Sequence, residues 1–157
     1  MRSATSTDPE DIMELSPSHL ATREAACRLP ALHASLALLV ESSQRATLGL
    51  YGDPPPASPG DPPAEPPVVV LTLTAAAGQV DEGAHWIVLD VPLEGQIDGA
   101  DLAVGTSVTW ARITDGAGQW WADATVSDEA GAGEIRLIDT LLYNGAFCRL
   151  TSAILEG

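Results

Sequence analysis

Three histidines, two cysteines and twenty-two carboxylates could do chemistry in this chain of 157 residues, and their spacing assembles none of the usual sites. His19, His33 and His85 form no H-x-x-x-H pair, so a zinc centre would have to draw on distant segments. Cys27 and Cys148 belong to no C-x-x-C and read as small buried hydrophobes. The adjacent acids Asp81-Glu82 and Asp128-Glu129 lie in loop-like sequence, where both point to water and keep ordinary proton affinities. Oxygen-rich loops at Asp98–Asp101, Asp115–Gly118 and Asp123–Asp128 miss the D-x-[DN]-x-[DN]-G calcium pattern; turn chemistry explains them. Gly116-Ala117-Gly118 and Gly131-Ala132-Gly133 open no helix that would cradle a phosphate, and no serine sits in a G-x-S-x-G elbow. The expectation is a non-enzymatic protein with no cofactor and no metal.

The tryptophans carry more. Trp120 and Trp121 are neighbours in a strand-like run, and neighbours on a strand face opposite sides, so one indole should be buried while the other meets solvent or a partner. Trp110 and Arg112, two positions apart, share a face. The candidate subunit contact is therefore Trp110, Arg112, Trp120 and Trp121, together with Leu36, Leu39 and Val40 from an upstream apolar stripe. A carbohydrate-binding platform would use the same indoles. A third reading shields them beneath other segments of the chain.

These residues need a scaffold, and the pattern predicts one that is mainly β: an antiparallel β-sandwich or small barrel preceded by an N-terminal helical segment. Residues 1–15 read as an acidic flexible arm, in which Asp8-Pro9 could start a short helix, and 16–46 as a helical leader opening at Ser16-Pro17. Pro30 should kink or restart that helix, after which Leu32, Leu36, Leu39 and Val40 give a stripe that Leu38 widens. A short strand follows at 47–52. Residues 53–67 are a strap in which eight of fifteen residues are proline, favouring extended backbone; as a recognition ligand it lacks flanking basic residues.

Residues 68–157 then form the antiparallel β-domain, with strands expected at Val68–Thr74, His85–Val91, Gly105–Thr114, Gln119–Val126, Glu134–Leu142 and Ala146–Leu155. Asp115–Gly118 and Tyr143-Asn144-Gly145-Ala146 are the two hairpin signals, the second through the positive φ angles that Asn-Gly tolerates in a type I′ turn.

Charge narrows the partners. Seven arginines against 22 acids give a formal net charge of −15, and from Tyr51 onward 16 acids face 3 arginines. That sign argues against direct nucleic-acid binding, which needs cations at the phosphates. The longest apolar stretch, Ala31–Val40, is interrupted by His33 and Ser35 and is too short for the ~20 residues of a membrane span, and the acidic start is the wrong sign for a secretory leader.

The string Gly105-Thr106-Ser107-Val108-Thr109-Trp110-Ala111-Arg112-Ile113-Thr114-Asp115-Gly116-Ala117-Gly118, followed by Trp121-Ala122-Asp123 and an end at Thr151-Ser152-Ala153-Ile154-Leu155-Glu156, resembles a family of small virion structural proteins. These are encoded among head and tail genes of tailed bacteriophages and prophages, and typically read G-T-x-T-W-x-R-x-x-D-x-x-G, then V-x-D, then a closing S-x-x-I-T-E-like strand. The likeness spans about Ala31 to Glu156, whereas the acidic arm and proline strap depart from the pattern. It implies a β-domain without catalytic residues, located in the virion after assembly in the host cytoplasm. The expected role is capsid cement or decoration, contacting the major capsid protein and neighbouring copies as a homo-oligomer on the particle. A head–tail connector or tail accessory protein and a carbohydrate-binding adhesin module are the alternatives.

Overall fold

The computed structural model describes residues 15–156. The arm at 1–15, including the helix start at Asp8-Pro9, lies outside them except for Leu15. Among the described residues a single helix, α1 (Pro17–Leu38), precedes eleven strands: β1 (Thr47–Tyr51), β2 (Val69–Thr72), β3 (Gly78–Asp81), β4 (Trp86–Leu89), β5 (Leu93–Gln96), β6 (Thr106–Ser107), β7 (Trp110–Thr114), β8 (Trp120–Asp128), β9 (Ile135–Leu137), β10 (Leu141–Leu142) and β11 (Phe147–Glu156). The fold is mainly β, a multi-strand sheet curled into a half-barrel behind one N-terminal helix.

The main sheet runs β2-β1-β7-β8-β9-β11-β4-β3. The ten-residue β11 organises its second half: β9 lies along one edge, while β5 and then β4 share the other. The curl brings β5 back toward β2, where Gly99 N–H donates to the Val68 carbonyl at 2.9 Å and a Cβ on Gly95 would lie 2.6 Å from the Leu71 side chain. The concave side is packed with Leu48, Leu50, Val69, Leu71, Ile113, Ile135, Leu137 and Leu150, all fully buried.

Ser16 caps α1, its hydroxyl accepting from His19 N–H, and Pro17 occupies the first turn. Leu32 and Leu39 are buried and Leu29 and Leu36 are packed against the core, a spacing of three to four residues that lays one helix face on the sheet. Leu38 and Val40 point away and are exposed, so the stripe is narrower than the sequence suggested. Leu39 serves as the C-cap rather than as a helical residue.

Several expectations are corrected. Pro30 does not restart the helix, which continues through it as one element; a mid-helix proline loses one backbone bond, and the packed leucines on either side hold the segment in place. The β-domain is not wholly antiparallel: β8 and β9 pair in parallel, with Val126 opposite Ile135. Only a six-residue loop joins them, and it doubles back so tightly that a Cβ on Gly133 would lie 2.7 Å from Ser127 N. Tyr143–Ala146 turns, but with positive φ only at Gly145, and it joins no hairpin. Its backbone is claimed from outside, because Gly145 N–H donates to the Ile97 carbonyl and Ile97 N–H to the Ala146 carbonyl, while the Asn144 side-chain Oδ1 accepts from Ala100 N–H. β10 pairs with β6 instead. His85 belongs to no strand but to the β3–β4 turn at φ 60°, and Cys27 is exposed on the projecting half of α1. β3 and β5 were not expected.

Candidate interaction surfaces

The hairpin expected around Asp115–Gly118 forms: β7 and β8 pair antiparallel, with Trp110 opposite Thr125 and Arg112 opposite Asp123. Asp115 Oδ1 accepts from Ala117 and Gln119 N–H, and Gly118 takes φ 83°, the positive angle glycine supplies without a Cβ clash. A bulge follows, because Ile113 pairs with Ala122 but Thr114 pairs with Trp120. The extra residue reverses the alternation. Trp120 thereby joins Arg112 on the outer face, where its Nε1–H donates to Asp123 Oδ1. Trp121 turns the other way, packs against the core and donates its Nε1–H to the Ser35 carbonyl of α1 at 2.9 Å.

The outer face of β1, β7 and β8 is where the proline strap lies. Tyr51 and Trp110 stack with ring centroids 4.4 Å apart, and the Arg112 guanidinium sits 5.6 Å from the Trp110 ring centre and 5.9 Å from that of Trp120. Asp123 grips Arg112 with both oxygens, Nε–Oδ1 and Nη2–Oδ2 each at 2.8 Å. The strap completes the set: Trp110 Nε1–H donates to the Asp53 carbonyl at 2.6 Å and Arg112 Nη1–H to the Asp61 carbonyl at 2.7 Å. A proline-rich backbone offers carbonyls but few N–H groups, so its natural complements are donor-only side chains such as indole and guanidinium.

This packing explains why β7 is buried on both sides although only one side faces the core. The hydrogen bonds from Asp123 hold the Arg112 guanidinium above its ordinary proton affinity, against the opposing cost of burial. Burial pushes the Tyr51 phenol up, with Arg112 pulling the other way.

The seven candidate contact residues are therefore dispersed. Trp110, Arg112 and Leu39 are buried, Leu36 and Trp121 are half-buried, and Trp120 and Val40 remain exposed. Trp120 and Trp121 line a cleft of about 380 Å³ between α1 and β8, together with Leu32, Ser35, Leu38 and Asp123 among others. Among the described residues no group of three or more His, Cys, Asp and Glu side chains comes together as a metal site, and no helix is long and apolar enough to cross a membrane.

The largest apolar exposure lies elsewhere. Leu102 (89% exposed), Val104 (70%) and Phe147 (70%), with Ile138, Leu141 and Tyr143, project from the 102–104 loop, the 138–143 segment and the start of β11. Gly105 abuts the Tyr143 ring and β6 pairs with β10, which ties the 102–104 loop to the 138–147 segment. Ile138, Leu141, Tyr143 and Phe147 line a groove of about 250 Å³ whose floor includes the buried Cys148. The sequence held a signal for this end. Phe147 is the chain's one phenylalanine, and it stands beside an Asn-Gly turn in company with Leu141, Leu142 and Tyr143.

No family model, no curated protein and no solved structure matches this chain.

Proposed function

We propose that this chain is a non-enzymatic structural protein of a tailed-phage particle, a capsid cement or decoration protein that contacts the major capsid protein. The observation that carries this reading is that the residues bearing the family resemblance act together. Arg112 is hydrogen-bonded to both Asp123 oxygens across adjacent strands and lies over the Trp110 ring, and Gly118 makes the turn between the strands. The string is thus the frame of a β-hairpin, which suits a rigid body offered to neighbouring subunits. The acidic surface also fits a protein that avoids nucleic acid.

The test is stoichiometry. Particles from the virus or prophage that carries the gene are purified, and this chain is quantified against the major capsid protein by isotope-labelled peptides. Cement predicts hundreds of copies per particle. About a dozen copies would move it to the head–tail connector, and absence from purified particles would remove the virion reading.

A further inference from the structure

We infer that the apolar end formed by Leu102, Val104, Ile138, Leu141, Tyr143 and Phe147 is a pairing face for a second copy of this chain, and that the pairing strengthens as salt is raised. The inference stands on exposure and charge, not on the virion reading.

Size is the first argument. With whole-side-chain areas of roughly 150–250 Å², the fractional exposures of these six leave on the order of 600–700 Å² of mostly apolar surface. That lies at the upper end of the about 300–600 Å² of a typical monomer's largest patch and approaches the ~800 Å² each partner contributes to a standard interface. Two copies meeting about a two-fold axis cover each other's patch with the same residues, so no second complementary surface is required.

Composition is the second argument. Tyr143 and Phe147 supply the rigid aromatic anchors that concentrate binding energy, and the groove beneath them gives an opposing side chain somewhere to enter. The rim supplies the sign of the salt effect. Asp98, Asp101 and Asp139 are exposed in the segments that carry the patch, whereas Arg149, which lines the groove, is already paired with Glu94 at 3.6 Å. Asp101 is held ionised below the usual carboxylate range, chiefly by the Val104 and Ala103 amides. Face-to-face docking therefore brings acids toward acids, and ions that screen this repulsion favour the pair while the apolar contact persists.

The experiment is sedimentation velocity on the purified full-length protein from 1 to 100 µM at 0.05, 0.15 and 0.5 M NaCl. The expected result is an equilibrium between the 16.3 kDa chain and a species of twice that mass, with the dissociation constant falling several-fold across the salt series. Phe147→Ser and Leu102→Ser should each weaken association at least tenfold while leaving circular dichroism and melting temperature unchanged, because both side chains are largely outside the fold. Leu20→Ser, at an exposed apolar position on α1, should leave it unaltered. A monomer under every condition overturns the inference. So does association that weakens with salt, or that responds to Leu20→Ser as strongly as to Phe147→Ser.

Discussion

Replacing Arg112 with alanine should destabilise the protein far more than loss of a surface arginine would. The side chain is 9% exposed and its partner Asp123 is 26% exposed, so the pair is mostly but not wholly withdrawn from water. Removal deletes two charge-assisted bonds to Asp123, strips the Asp61 carbonyl of its donor and leaves the carboxylate with only the Trp120 indole. Breaking a fully buried pair costs about 3–5 kcal/mol, and the partial exposure of Asp123 lowers the expectation to about 2–4 kcal/mol. The assay is urea unfolding followed by far-ultraviolet circular dichroism, since the neighbouring indoles would confound fluorescence. A double-mutant cycle with Asp123→Ala isolates the pair, with an expected coupling of about 2 kcal/mol. Arg112→Lys should recover less than half the loss, because one ammonium cannot grip Asp123 through both oxygens while reaching Asp61. A coupling under about 0.5 kcal/mol, or full recovery by lysine, would refute the argument that this cluster fastens the strap to the sheet.

Other substitutions probe other joints. Trp110→Ala should cost about 3–5 kcal/mol and Trp120→Ala about 1 kcal/mol or less in the same unfolding assay, and equal costs would contradict the bulge that turns Trp120 outward. Trp121→Phe keeps the ring but loses the bond to the Ser35 carbonyl, an expected loss of about 1 kcal/mol that should vanish in a variant truncated before the sheet. Gly133→Ala should destabilise by about 1–3 kcal/mol, because its Cβ would press on the Ser127 and Val126 backbone; a change within about 0.5 kcal/mol would show that the loop can move. Burial pushes the Cys148 thiol up to about 11, while Cys27 is exposed. Ellman's reagent at pH 8 should therefore titrate one thiol in the native protein and two in denaturant. Because the folded value lies above the unfolded one, Cys148 favours the fold fully below about pH 9, and that contribution is lost as pH rises toward 11; stability independent of pH across this window would contradict it.

Where local pattern and tertiary packing agree, the fold was legible. The β7–β8 hairpin, the short strand at Thr47 and the capped helix at Ser16 all announce themselves through turn glycine, alternation or a cap. β3 and β5 were hidden for a physical reason: Gly78-Gln79-Val80-Asp81 carries one large apolar residue as an edge strand, and Leu93-Glu94-Gly95-Gln96 needs its glycine to approach β2. Neither presents an alternating apolar face. The Tyr143–Ala146 signal failed because non-local bonds with Ile97 claimed the backbone that a hairpin would have used, while Ala100 N–H took the Asn144 side chain. The tryptophan site was legible only in part. Strict alternation correctly separated Trp120 from Trp121, but which of them faces the core follows from a bulge that no residue type marks, and the burial of Trp110 and Arg112 follows from a strap fifty residues upstream.

The strap also relocates the surface on which this protein can meet others. A sheet with Tyr51, Trp110 and Arg112 on its outer side would, uncovered, be an interaction face by composition alone. Carbonyls from Asp53 and Asp61 close it, and the eight prolines limit the disorder that the unfolded segment would otherwise regain. What stays open is an end whose Leu102, Val104 and Phe147 leave most of their apolar surface unburied by the fold. Large apolar side chains that the fold leaves uncovered are the ground of the proposed pairing, so the test of a partner contact belongs at the Phe147 end rather than on the tryptophan face, where the strap already covers Trp110 and Arg112.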